Sequence, residues 1–537
     1  MTRRAAVPLT LLALAGLALV APAAVAAPNG GRHSGGLPLG PAGLTETRTT
    51  RTLQPGVTLT RIVRGHTDPA AVWTVEIAVP PGTGSPDPDA PPAAISDEAD
   101  ARAAADRLRA AGLDPRVEEV NTPPLADFSG ALGWRVRVGA AATRAAADAI
   151  RQQVIAAGLS GSSVYTGWDG EPDDVAGSTG PWHIDVLTID PRRFTGRLDA
   201  TYGPDLEQRE TTSRLATLEG ADAAVNAGFF VLDPAAGAPG DPAGVGAYDG
   251  RLLSEPIAGR PALVVRDDAR HSSIVRLRWR GTAGGLRLDG LNRVPGLIRN
   301  CGGLGDTPTD LPRHDFTCTD ADELIVFDPA YGARTPSGPG AEVVLDHDGR
   351  VIEVRPVRGG TVPAGGRTVQ ATGAKVEALL AVAHPGRRLV VRAGLIDERG
   401  RPVHTTRHAS IVNGGPELVR DGRLHATPAA DGMVRPGDPS FYYGWVHKRN
   451  PRTFAGVDAH GRTVLITADG RSTDSLGLGI GETAAVARSL GLRDAINLDG
   501  GGSTTMVVDG AVINVPSDAT GERPVGDALV VSPARRH

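Results

Sequence analysis

Cysteine is almost missing from this 537-residue chain, which has only Cys301 and Cys318. Two thiols are too few for a cysteine-built metal centre, which takes three or four soft ligands. In an oxidising compartment the pair would close a loop that contributes about 3 kcal/mol in the chain-entropy view; two free buried thiols are the alternative. Aromatic residues make up 4% of the chain, so its cores have to be built from Val, Leu, Ile and Ala. Lysine is scarce and the formal net charge is −5, leaving no basic stripe to neutralise phosphates and excluding a nucleic-acid partner. His404 and His408 stand at helical i,i+4 spacing, but they lack the neighbouring glutamate of zinc helices and sit among Thr and Arg. No metal and no cofactor is expected.

After the first twenty-odd positions, no apolar run approaches the roughly 20 residues that a membrane helix requires, so no transmembrane anchor is expected. The first positions read as a secretory signal over residues 1–27: Arg3 and Arg4 precede the apolar run Ala5 to Val20, and Ala24-Val25-Ala26 offers small residues for cleavage. The expected location is therefore extracellular, associated with the cell wall. Arg3-Arg4 lacks the usual twin-arginine context, and the export route stays open between Sec and Tat.

The length predicts more than one core. Residues 28–55 are rich in Gly, Pro, Thr and Arg without hydrophobic periodicity, and read as a flexible lead. Pro80 to Pro92 reads as a surface loop, and residues 169–180 as a linker. Between them lies an internal repeat. Arg102-Ala-Ala-Ala-Asp-Arg-Leu-Arg109 recurs as Arg144-Ala-Ala-Ala-Asp-Ala-Ile-Arg151, and each copy runs on into Ala-Ala-Gly-Leu, with Gly112 and Gly158 as helix stops. Alternating strands precede the helices at Val72 to Ile77 and Trp134 to Val138, and follow them at Arg116 to Val120 and Ser162 to Thr166. A doubled β-α-β order predicts a four-stranded sheet with both helices on one face, the ferredoxin-like arrangement.

Residues 56–168 thereby resemble a SPOR domain, the envelope module that binds peptidoglycan glycan strands. The resemblance implies a ligand lying over the exposed sheet face, where Trp73, Arg135, Arg137 and Tyr165 are the candidate glycan-binding residues; each is also an ordinary strand residue. Aromatic faces stack on sugar rings and guanidinium groups donate to sugar oxygens.

From residue 181 onward the pattern changes to short β-branched strands between Gly, Pro and Asp turns, with helices expected near Thr368 to His384 and Gly481 to Leu490. The fold class is α+β, strand-rich. Three islands carry residues that folding alone does not need. Ala224 to Phe230 is a strand running into a small-residue turn, with Asn226 at its mouth. Arg449 to Arg471 places Arg452 and Arg471 near strand ends, where guanidinium groups could grip a phosphodiester, with Asp469 beside them. Ala495 to Val508 is a strand delivering Asp499 to the triple-glycine turn Gly500-Gly501-Gly502, whose bare backbone amides suit an anion. An Asn that ties a turn, surface ion pairs and a tight β-turn are the plain readings of the three.

Together these islands resemble the phosphodiester glycosidase family. The matching segments are AVNAGFF from Ala224, NGGPELVRDG from Asn413, the stretch from Arg449 to Arg471, GIGETAAVARSLG from Gly479, NLDGGGSTTMV from Asn497, and NVPSDATGERPVGDALVV from Asn514. Coverage is about residues 181–537, with 233–344 as an elaboration carrying both cysteines. The resemblance implies a site lined by Asn226, Arg452, Thr453, Asp469, Arg471, Glu482, Asn497, Asp499, Gly500, Gly501 and Ser503, with Asn514, Ser517, Asp518 and Arg523 nearby. It also implies hydrolysis of a sugar 1-phosphodiester of the α-N-acetylglucosamine type. Asp499 is expected beside the anomeric carbon, with Glu482 or Asp469 as the second carboxylate. Two other functions remain open: a non-catalytic glycan binder, and a metal-dependent phosphodiesterase that breaks the P–O bond.

Overall fold

The structure is a computed structural model that describes residues 36–79, 92–170, 178–257, 259–299, 317–435 and 437–534. The expected signal sequence, nearly all of the Pro80 to Pro92 loop and Cys301 lie outside the described residues. The expected disulfide falls outside them too; Cys318 stands on the strand Thr317–Thr319, opposite Ile298.

An eight-stranded antiparallel sheet is the frame of the molecule. Its order is Glu46–Gln54, Val57–Arg64, Trp182–Ile189, Thr463–Ala468, Arg452–Asp458, Leu492–Asn497, Glu417–Arg420, Arg423–Leu424. A five-stranded sheet, in which Ala223–Asn226 lies between Met506–Val508 and Ala528–Ser532, packs on one face. Leu187, Leu465, Ala455 and Ile496 from the first sheet meet Val225, Met506 and Leu529 from the second in one buried core. The other face is covered by the helix Ile480–Ser489 and by the repeat module, through Ile184, Phe454, Ile466, Tyr442 and Val486.

The first two strands correct the expected domain boundaries. Residues 46–54, expected in the lead, form a hairpin with Val57–Arg64, expected in the SPOR-like domain, and the hairpin is continued by full pairing of Val57–Arg64 with Trp182–Ile189. Its outer strand is mostly exposed, so its Thr and Arg residues carry no apolar period, while Val57, Leu59 and Ile62 are buried. The expected end of the elaboration at 344 falls within one sheet, in which Gly338–Leu345 is joined with Leu324–Phe327, Val351–Arg358 and Arg367–Ala371. Arg367–Ala371 is a strand where a helix was expected, and the helix is Lys375–Val382.

In the repeat module the sheet order is Pro115–Thr122, Gly130–Ala141, Trp73–Ile77, Gly161–Tyr165, antiparallel throughout. The helices are Glu98–Ala110, capped by the Asp97 side chain, and Arg144–Ala156, capped by that of Thr143. Ala101, Ala105, Leu108 and Val154 pack on Val75, Ile77, Val136 and Val138. Strand alternation sends Glu76, Arg135 and Arg137 to the opposite face.

That face does not meet water, which corrects the expectation of an open glycan-binding sheet. Arg135 and Arg137 are 4% and 2% exposed, and Tyr165 is 4% exposed. Arg137 donates to both oxygens of Asp169, at 2.6 and 2.7 Å, and to Glu76 at 2.8 Å. Tyr443, from the C-terminal half, donates its hydroxyl to Glu76 at 2.8 Å and accepts from Arg135 at 3.1 Å. Trp73 packs against Tyr165 and Trp168, with ring centroids 5.5 and 5.3 Å away. Asp169 is part of this seam and 2% exposed, so the expected linker begins as buried structure. Charges this deep persist because each is answered by another charge or hydroxyl.

Candidate active site

The triple-glycine turn is the centre of the site. The buried strand Leu492–Asn497 pairs with Arg452–Asp458, and Leu498 N donates to Thr453 O at 2.9 Å, so the two chains leave the sheet side by side. Gly501 N then donates to Pro451 O at 2.9 Å, laying the turn across the start of the arginine strand. Gly501 has φ +59°, and a methyl group there would stand 3.3 Å from Arg471 Nη2. A methyl at Gly502 would collide with the side-chain ends of Arg523 and Asp518. Side-chain-free backbone therefore lets two guanidiniums reach the turn.

Asp499 is half-buried at the head of this turn. Its amide donates to Ala227 O at 2.9 Å and its carbonyl accepts Asn226 Nδ2 at 2.7 Å. Asn226, wholly buried, also accepts from Thr453 Oγ1 at 2.6 Å and Thr505 N at 3.1 Å. Asn226 and Thr453 thus tie three strands together behind Asp499.

Arg452 is 3% exposed. Its Nε donates to Leu478 O at 2.9 Å and its Nη2 to Trp445 O at 2.6 Å, and the structure pairs it with no carboxylate among the described residues. Burial and then the nearby charge of Arg471 push its pKa down to about 9, with Glu482 acting the other way. A guanidinium stays charged at neutral pH, so the shift marks a site that favours an incoming anion. Arg471 has φ +55° and its Nε donates to Asn450 Oδ1 at 3.2 Å.

Of the three expected catalytic carboxylates, Glu482 is committed elsewhere. It completes the helix cap by accepting Gly479 N at 2.9 Å, and it accepts Arg449 Nη2 at 2.9 Å and Nε at 3.1 Å. Asp469 is 7% exposed, and its Oδ1 accepts Asn514 Nδ2 at 3.1 Å and Val515 N at 3.0 Å. Burial raises its pKa despite those donors. Asn514 also binds Thr504 O and Met506 N, joining Asp469 to the strand after the turn. Asp518 and Arg523 form an ion pair at 2.7 Å. Ser517 Oγ is buried with no hydrogen-bond partner among the described residues, Ser503 is buried in the turn, and Asn497 Nδ2 donates to Gly415 O at 3.0 Å.

Two family models match parts of the chain. Residues 339–532 match the family model for phosphodiester glycosidase, and residues 93–165 match that for the SPOR domain. The chain therefore carries a phosphodiester glycosidase domain and a SPOR domain. A crystal structure of a protein of Burkholderia pseudomallei K96243, described as exported, is 33% identical and superposes with a TM-score of 0.81 over 94% of this chain and 99% of that one. The mouse N-acetylglucosamine-1-phosphodiester alpha-N-acetylglucosaminidase is 29% identical over 160 residues, which is 30% of each protein. The chain thus matches about a third of the length of that curated relative. A Synechocystis protein at 17% identity and TM-score 0.51 shares the fold alone.

Within the phosphodiester glycosidase domain, sequence reasoning missed Asp185, Asn450 and Asp527. Thr467 stands opposite Asp185, which places that carboxylate beside Asp469; burial, then the Asp469 charge, push its pKa to about 6 against the pull of Arg61. Asp185 sits in a strand of alternating character, where a single acid reads as a solvated residue. Asp527 lies in a quoted segment, NVPSDATGERPVGDALVV, yet showed no separate signal. It accepts Gly228 N at 2.7 Å and Tyr248 Oη at 2.8 Å, and burial pushes its pKa to about 6.

Proposed function

We propose that this chain is an exported hydrolase that cleaves a glycosyl phosphodiester of the α-N-acetylglucosamine-1-phosphate type in or near the cell wall. The observation that carries the reading is the buried Arg452, without a carboxylate partner among the described residues, at the foot of a triple-glycine turn that follows Asp499. One phosphodiester charge answers that guanidinium, with Arg471 and Arg523 as further donors. The sugar then lies against Asp499, which stabilises the oxocarbenium-like state as the bond from C1 to the phosphate oxygen breaks. Water supplies the oxygen of the new C1–O bond, and the phosphomonoester departs with its charge. Such a leaving group needs little protonation. Asp469, its pKa raised by burial, is the second carboxylate, while Glu482 holds Arg449 and the helix start.

The SPOR module, read as ferredoxin-like, is proposed to bring the enzyme to peptidoglycan glycan strands; its family match supports that partner. The test is release of free N-acetylglucosamine from a methyl phosphodiester of α-N-acetylglucosamine 1-phosphate. The native chain is expected to release it and Asp499→Asn to lose at least a thousandfold in rate, on the order expected for a group acting on the transition state. Equal turnover by both chains would remove Asp499 from the chemistry, and turnover by neither would leave a glycan binder.

A further inference from the structure

The face of the SPOR sheet that would ordinarily be free is spent on one short segment of the catalytic half. Tyr443–His447 is a single π-helical turn, a rare conformation that recurs at functional positions. At one end, Tyr443 Oη is fixed by Glu76 at 2.8 Å, Arg135 at 3.1 Å and Arg137 at 3.4 Å. Lys448, just after the turn, reaches Glu76 at 2.9 Å, and Arg449 N donates to Trp168 O at 2.8 Å. Every one of those anchors belongs to the SPOR module or the turn that ends it.

The same segment touches one guanidinium of the anion site directly and reaches the other through Asn450. Trp445 O accepts Arg452 Nη2 at 2.6 Å. Gly444 O accepts Asn450 Nδ2 at 2.9 Å, and the other end of that amide accepts Arg471 Nε at 3.2 Å. We propose that the SPOR sheet is a positioning element of the anion site: Glu76 and Arg135, acting through Tyr443, hold the π-turn whose carbonyls aim Arg452 and, through Asn450, Arg471. This rests on the reading of that site as the phosphate grip. Tyr443 touches no substrate and is a positioning residue.

Thr122 provides a matched control. Its hydroxyl bonds Tyr442 Oη at 3.1 Å across the same seam, at the residue just before the π-turn rather than within it. Calorimetric titration of inorganic phosphate into the full chain reads the grip without turnover, beside KM and kcat for the methyl phosphodiester. Tyr443→Phe is expected to weaken phosphate binding and raise KM by about three- to tenfold, the scale of one lost hydrogen bond, with kcat within about twofold. Thr122→Val is expected to change neither by more than about twofold. If Tyr443→Phe does not fold, Arg135→Met removes the same support from the SPOR side and is read identically. Equal effects of the seam variants, no effect of either, or absence of phosphate binding by the native chain would overturn the proposal. Phosphate binding without hydrolysis by the native chain would instead count against the proposed function alone.

Discussion

A guanidinium buried to 3% exposure needs its charge answered, and the two carbonyls on Arg452 answer it only in part. In the proposed function the remainder falls to the substrate phosphate. Arg452→Met is therefore expected to raise KM by about ten- to a hundredfold, the range for a hydrogen bond to a charged group, and to improve thermal stability or leave it unchanged, because an unpaired buried charge is removed. Steady-state kinetics together with a melting curve check both halves. A large loss of stability with KM unchanged would make Arg452 structural. The turn glycines act at the same scale. Gly502→Ala drives a methyl into Arg523 and Asp518, the movable ends of two side chains, so it should lower kcat/KM while shifting Tm by only a few degrees.

Among the elements, the seam between sheet and π-turn governs the response to acid. Burial pushes the Glu76 carboxyl up, but Lys448 and Arg137 outweigh it and hold it at about 2, below its ordinary 4.5. Its stabilising effect is present above pH 4.5 and fades as pH falls toward 2. Burial pushes His447 down to about 4 from 6.5, so its contribution is present above pH 6.5 and fades as pH falls toward 4. Asp185 and Asp527, raised to about 6 from 3.8, work the other way and gain as pH falls from 6 toward 3.8. The net curve for the native chain mixes these, so the informative quantity is a difference. Tm of His447→Gln minus that of the native chain should become more positive between pH 6.5 and 4; a difference independent of pH would contradict the assignment.

What the sequence made legible at this scale follows from which signals are local. The helices Glu98–Ala110 and Ile480–Ser489 and the strand Leu324–Phe327 were readable because capping, period and turn residues lie within a few positions of each other. The Gly500 to Gly502 turn was readable because its bare backbone has a conformational reason. Arg135 and Arg137 were misplaced because alternating arginines on a strand look solvated, and only Tyr443, some three hundred residues away, shows what covers them. The hairpin of residues 46–64 was missed for a similar reason: its outer strand is polar on both faces, and its partner Trp182–Ile189 is remote in sequence. Glu482 read as a free carboxylate because its partner Arg449 is on another element.

At the scale of the whole molecule, the C-terminal half does not begin where its family motifs begin. A chain starting at residue 181 would lose two strands of the eight-stranded sheet, expose Trp182–Ile189 as a new edge and uncover the seam. It is expected to be insoluble or aggregated on size exclusion, whereas a chain starting at residue 36 should run as a folded protein; equal solubility of the two would show that the hairpin and SPOR module are dispensable to the fold. The chemistry assigned to that assembly is attack at a sugar carbon rather than at phosphorus. Hydrolysis of the methyl phosphodiester in water enriched in oxygen-18 distinguishes them by mass: the label is expected on the C1 oxygen of the released N-acetylglucosamine, and label in the phosphomonoester would contradict a glycosidase.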